Sequence, residues 1–183
     1  KLSPVSFGLY QGFAVPKYVD IDSIDQLNDN ADKLGGKIVG IEPGSGLMRD
    51  ATTAVSGSGL NLKLLEGSTA AMTAALKSAV DRKEPVVVTI WEPSWMVQKF
   101  DLKFLKDPKA IFPPAQGYYW IGHKGFSAEY PKAREVIASV YVPLGDITAI
   151  NSEVKDGKTM DQAIQDWTVK NAELLKRWEN IKK

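Results

Sequence analysis

A doubly wound α/β fold with a helical C-terminal extension is what this sequence predicts, on three observations. The run PVVVTIW, residues 85–91, is almost wholly β-branched, as suits a strand covered on both faces. Between residues 37 and 91, strand-type and helix-type patterns alternate in the order strand, helix, strand, helix, strand. From about Ser127 onward the strand signal gives way to helical periodicity.

The first extended stretch is SFGLYQGFAVPKYV, residues 6–19. SIDQLNDNADKL then opens with Ser23 and carries Gln26 three residues later, the spacing of a capping box, which predicts a helix closed by Gly35 and Gly36. KIVGIE reads as a short buried strand, and PGSG as the turn that follows it. LMRDATTAVSGSG is a helix ended by Gly57 and Gly59, and NLKLLE is the next strand. GSTAAMTAALKSAVDRK is a helix with Ser68 at its N-cap and an apolar stripe at Met72, Leu76 and Val80. PVVVTIW completes the set, and right-handed crossovers would join these strands in one sheet.

After Asp101 the chain is read as loop-rich, because Pro108, Pro113 and Pro114 interrupt any long element. GYYWIGHKGF is one more extended segment. The remaining helices are PKAREVIASVYV, DITAINSEVKDG and TMDQAIQDWTVKNAELLKRWENIKK, the last with a Thr159–Gln162 capping box. This tail has no sheet of its own to pack against. There is no internal repeat.

Composition narrows the function. The 183 residues carry 23 Lys and Arg against 22 Asp and Glu, a net charge of +1 without basic runs, so nucleic acid and acidic membranes are not expected partners. No apolar stretch reaches the roughly 18 residues of a membrane span. The start, KLSPVSFGLY, is not a signal-peptide pattern, so a targeting segment is expected to be removed or to lie upstream. Without cysteine there is no thiolate metal site and no Cys nucleophile, and the single histidine, His123, makes a metal centre or a His-driven triad improbable. No metal, no cofactor and no catalytic residue is expected.

Two motifs point instead to ligand binding. EPGSG, residues 42–46, follows a strand and opens a helix, which aims the N–H groups of Gly46 and Leu47 at an anion while Gly44 permits close approach. It matches neither GxxxxGK[ST] nor GxGxxG, and it suits a small carboxylate better than a pyrophosphate. The same turn also reads as purely structural, since turns want glycine. WEPSW, residues 91–95, places Trp91 at the carboxyl end of its strand. Open α/β sheets bind ligands at those ends, and the Gly44–Leu47 turn falls on the same edge. Trp91 is therefore read as one wall of a small-molecule pocket, and Trp95 as packing. In GYYWIG, Tyr118, Tyr119 and Trp120 stand where a cleft would form, although alternation lets only some of them face it. Trp167 and Trp178 lie on amphipathic helices and are read as core or interface.

IVGIEPGSGLMRDA, LLEGSTAAMTAALKSAVDRKEPVVVTIWEPSWMVQKFDLKFLKDPK and DGKTMDQAIQDWTVKNAELLKRW resemble the substrate-binding proteins of glycine betaine/proline betaine ABC importers. The resemblance runs through nearly the whole chain. It implies a two-lobed, type II periplasmic-binding-protein fold, an extracytoplasmic (periplasmic) location, a membrane permease as partner, and an aromatic cage around a quaternary ammonium group. By position it makes Trp91 a cage wall and gives the ligand carboxylate to Gly46 and Leu47. It divides the chain into a hinge-strand region at 1–18, an α/β ligand-binding lobe at 19–116, and a return strand with C-terminal helices of an incomplete second lobe at 117–183.

The sequence departs from that family in three ways. About one lobe is absent, which implies a missing lobe or a second copy of the chain as partner. Glu92 stands where relatives often have Thr or Ser; a carboxylate there favours a cation lacking its own, such as choline, or faces solvent or a lysine. Ser45 replaces what is in some relatives another cage aromatic. The expectation is thus a non-enzymatic quaternary ammonium binder, with an assembly module lacking ligand affinity, or a choline/carnitine binder, as alternatives.

Overall fold

The computed structural model describes residues 1–181 and divides into two compact units. One is the continuous stretch Tyr10–Pro114; the other joins Lys1–Leu9 to the chain from Ala115 onward.

The continuous unit is built on a five-stranded sheet of order β4-β3-β5-β2-β6. Its strands are β2 (Gln11–Pro16), β3 (Lys37–Val39), β4 (Lys63–Leu65), β5 (Val88–Trp91) and β6 (Leu102–Phe104). The strands β4, β3 and β5 run parallel, whereas β2 is antiparallel to both β5 and β6. The sheet is therefore mixed. From β3 the chain crosses to β4 on one side and then returns past β3 to β5. With right-handed crossovers, that reversal puts the two connecting helices, α1 (Gly46–Gly57) and α2 (Thr69–Asp81), on opposite faces. α1 packs on β2, β4 and β5 through a buried stripe of Leu47, Met48, Ala51 and Ala54. α2 buries Met72, Leu76 and Ala79, while Val80 is only partly covered. Phe13, Ile38, Val87, Val88 and Ile90 are fully buried in the sheet.

Three expectations for this unit are corrected. Residues 24–30 form two 3₁₀ turns rather than a helix, because a local side chain competes for backbone groups: Asn30 Nδ2 donates to the Gln26 carbonyl, four residues back, at 2.9 Å. The Gln26 side chain still accepts from Ser23 N–H at 3.0 Å. The stretch 6–19 is not one strand: it splits at Tyr10 into β1 (Pro4–Leu9) and β2, and β2, grouped by sequence with a hinge, lies inside the sheet between β5 and β6. The loop-rich stretch after Asp101 opens with a strand, since β6 pairs with β2, a pairing between residues 86 to 90 apart that no local pattern announces. A short helix, α3 (Trp95–Lys99), follows the WEPS turn, with the Ser94 hydroxyl accepting from Met96 N–H.

The second unit also corrects an expectation, for its helices do have a sheet to pack on. β1 pairs antiparallel with β7 (Gln116–Tyr119). The helices are α4 (Phe126–Glu129), α5 (Pro131–Ser139), α6 (Leu144–Lys155), α7 (Met160–Lys170) and α8 (Ala172–Asn180). α6 packs on β1 and on α7, and α8 meets α5 and α7. The last segment, read as one helix, breaks at Asn171, whose φ of −111° and ψ of 27° leave the helical region; its final two residues, 182 and 183, lie outside the described residues. Trp167 stacks on Trp178 at 6.2 Å and donates its indole N–H to Asp146 at 2.9 Å.

Candidate functional site

Because β3, β4 and β5 are parallel and β2 opposes them, the carboxyl ends of β3–β5 and the start of β2 share one edge of the sheet. Trp91 ends β5 there, directly opposite Gln11 of β2. The neighbouring pair is hydrogen-bonded, Glu92 N–H to the Tyr10 carbonyl at 2.6 Å, so Gln11 and Trp91 form the closer, non-hydrogen-bonded kind of pair. Opposed residues of an antiparallel pair project to the same face, so Trp91 and Gln11 lie on one face of the sheet. That face is the one α1 covers: Gln11 Nε2 donates to Asp50 Oδ2 on α1. Trp91 is partly buried against the core and partly open.

The turn before α1 occupies the same edge. Gly44 holds φ at +85°, a value that excludes most side chains, and Ser45 caps the helix by accepting from Met48 N–H at 3.2 Å. Arg49 N–H bonds the Ser45 carbonyl at 3.1 Å. The N–H groups of Gly46 and Leu47 precede the first intrahelical bond and have no acceptor further back in the helix. Gly46 is exposed, and a Cβ there would meet only the end of Arg49 at 3.8 Å. Leu47 is buried at its side chain, so it can offer a ligand only its N–H. No acidic residue lies in the first turn of α1.

The contrast with α2, which starts beyond the end of β4 on the same edge, is informative. There the Glu42 carboxylate accepts from both Thr69 N–H and the Thr69 hydroxyl, each at 2.8 Å. Those bonds, the backbone one foremost, hold the Glu42 carboxyl below its ordinary range. One helix start at this edge already carries a carboxylate from the protein, and the other does not. Gly40 sets their spacing: a Cβ there would lie 2.6 Å from the Leu65 carbonyl oxygen and 2.6 Å from Met48 Sδ.

Of the residues singled out from sequence, the structure brings Gly44, Ser45, Gly46, Leu47 and Trp91 to this edge. Ser45 serves as a cap. Glu92 is partly buried and accepts from Ser94 N–H at 3.2 Å within its own turn, beside the cis Glu92–Pro93 peptide. Tyr119 belongs to the other unit, where its ring meets Phe7 edge-on at 5.7 Å and lies under Lys1 Nζ at 4.2 Å. Trp95 packs on the core and tilts against Phe100 at 5.9 Å. Sequence reasoning missed Gln11, Asp50 and Glu42. The one signal for Glu42 was its place after a β-strand, two residues before the turn glycine; Gln11 and Asp50 meet only through strand register. Among the described residues no cluster of His, Asp or Glu could hold a metal ion, and no helix is long and apolar enough to cross a membrane.

Comparison with known proteins adds a family. Residues 1–170 match the family described as the substrate binding domain of ABC-type glycine betaine transport system (OpuAC). The chain is 35% identical over 157 residues to the glycine betaine/carnitine transport binding protein GbuC of Listeria monocytogenes, covering 84% of this chain and 52% of that protein. It thus spans about half the length of that curated relative. Among solved structures it resembles lactococcal OpuAC in its closed form with glycine betaine, with a TM-score of 0.79 and 33% identity over 97% of this chain and 69% of that one. It also resembles the glycine betaine, L-proline-binding protein ProX of Borrelia burgdorferi, with a TM-score of 0.76 and 27% identity over 100% of this chain and 72% of that one. A choline-binding protein of an ABC transporter shares the fold, with a TM-score of 0.70 at 22% identity over 97% of this chain and 65% of that one.

Proposed function

The chain belongs to the family of substrate-binding domains of ABC-type glycine betaine transport systems, and from that premise we propose that it captures a quaternary ammonium zwitterion outside the cytoplasm and delivers it to an ABC permease. The observation that carries this reading is the single sheet edge that holds both the Trp91 ring and a helix start with two N–H groups and no protein carboxylate. A methylated ammonium has no hydrogen to donate, so water solvates it poorly and an aromatic face competes well, gaining about 0.5–2 kcal/mol per ring. The ligand carboxylate takes the N–H groups of Gly46 and Leu47, where the helix dipole favours negative charge. A zwitterion satisfies both at once; a bare cation uses only the ring. Glycine betaine is the favoured ligand, because GbuC and lactococcal OpuAC are named for it or hold it.

Isothermal titration of the chain with glycine betaine tests this. Trp91→Ala is expected to weaken binding at least about tenfold, near 1.4 kcal/mol. Unchanged affinity in that variant would sink the reading.

A second reading is favoured by one observation. In the unit containing β1 and β7, the large apolar side chains Ile121 (82% exposed), Val169 (73%) and Tyr130 (52%) stand open to solvent. On that reading the chain is an assembly module that pairs with a further lobe or a second copy and has no ligand affinity by itself. A monodisperse monomer in sedimentation, together with ligand binding, would eliminate it.

A further inference from the structure

Ring and N–H groups sit on different elements, β5 and α1, so something must fix the gap between them. Gln11 lies directly across from Trp91, and its amide is bound to Asp50, which sits one helical turn beyond Gly46 and three residues beyond Leu47. At 1.5 Å per residue this puts the anchor about 4.5–6 Å along the helix from the two N–H groups. The bond therefore ties the Trp91 edge of the sheet to the start of α1 by a short polar path. The bond adds direction to what packing supplies. Leu47, Met48, Ala51 and Ala54 hold α1 on the sheet through apolar contacts, which are non-directional, whereas a hydrogen bond has a preferred length and angle.

We propose that Gln11 and Asp50 form a spacer that fixes how far the Trp91 ring stands from the N–H groups of Gly46 and Leu47, and so sets the length of zwitterion the site accepts. This rests on the ligand reading given above. Neither residue touches the ligand in it; both act by position. The spacer favours the short separation of glycine betaine, one carbon between ammonium and carboxylate, over longer zwitterions.

Titration of the chain, Gln11→Ala, Asp50→Ala and the double variant with glycine betaine and with 4-(trimethylammonio)butanoate tests it. Each single variant is expected to lose about tenfold for the short ligand and less than about threefold for the long one. The double variant is expected to be no worse than either single one, since both break one bond. Equal losses for the two ligands, no loss for either, or multiplying losses would overturn the spacer. Amide hydrogen exchange without ligand gives an independent readout. Exchange at Met48–Asp50 should accelerate about fivefold or more in Gln11→Ala while α2 is unchanged, and identical exchange would also overturn the spacer. If the parent chain takes up neither ligand, the functional reading fails by itself, and exchange alone decides whether Gln11 and Asp50 hold this end of α1.

Discussion

Glu42 brings a pH dependence to the candidate site. Its carboxylate accepts from Thr69 N–H and the Thr69 hydroxyl, which lowers its folded-state pKa below the ordinary 4.5. A depressed folded value means the stabilisation is present above the unfolded pKa and is lost as pH falls through the lower folded one. Thermal melts of the chain should therefore drop, as pH falls below the ordinary 4.5, more steeply than those of Glu42→Gln, which has no carboxylate to protonate. Parallel curves for the two would refute it. Gly40 is the other residue whose environment dictates its identity. An alanine methyl placed 2.6 Å from both the Leu65 carbonyl oxygen and Met48 Sδ forces β4 or α1 to move. Overpacking of this kind costs about 1–3 kcal/mol, so Gly40→Ala should lower the urea midpoint with an unchanged m-value. At this scale the sequence showed Trp91 and the Gly44–Leu47 turn, because both are contiguous motifs. It hid Gln11–Asp50 and Glu42–Thr69, whose partners are 39 and 27 residues apart and meet only through register and crossover.

Capping chemistry was legible unevenly across the elements. The same Ser/Thr-x-x-Gln spacing occurs at Ser23–Gln26 and at Thr159–Gln162, and only the second opens an α-helix. The difference lies downstream. After Thr159 come Ile164 and Trp167, apolar residues three apart, whereas after Ser23 the run of Asn and Asp offers local side-chain bonds in place of helical ones. At α7, Gln162 N–H donates to the Thr159 hydroxyl at 3.2 Å and the Gln162 side chain accepts from Thr159 N–H at 3.0 Å. Thr159→Ala should then destabilise the unit containing α7 by about 1 kcal/mol. Urea unfolding followed by the emission of the stacked Trp167 and Trp178 measures it; an unmoved midpoint would mean that the box is ornamental to stability. The strands were harder to see. β3 and β4, three residues each, fall inside KIVGIE and NLKLLE and were legible as short apolar runs, whereas β6, equally short, was missed because the prolines beyond it dominated the pattern.

The whole molecule distributes its core unequally. The contiguous apolar cluster runs from Phe13 to Phe112 and lies wholly in the Tyr10–Pro114 unit. In the other unit, among the described residues, Ala163 is the one buried hydrophobic side chain, and the hydroxyls of Ser6 and Thr148 are buried instead. Burying apolar area contributes roughly 25 cal/mol per Å², so the two units cannot have comparable intrinsic stability. Chain connectivity sharpens the asymmetry. The well-packed unit is one continuous segment, whereas the other needs β1 from the start of the chain to pair with β7. A polypeptide of residues 10–114 should therefore melt cooperatively and give dispersed amide resonances by itself. Residues 115–181 alone, deprived of β1 and lacking a core, should not. The α/β character and helical ending were readable from sequence because they rest on local periodicity, but this inequality was not, since burial depends on what each helix faces. If residues 115–181 folded cooperatively on their own, the β1–β7 pairing would be dispensable and the division of stability drawn from the core would be wrong. If 10–114 failed to fold, the sheet edge carrying Trp91 and Gly46 would owe its geometry to the rest of the chain, and ligand affinity would have to be sought in the intact protein alone.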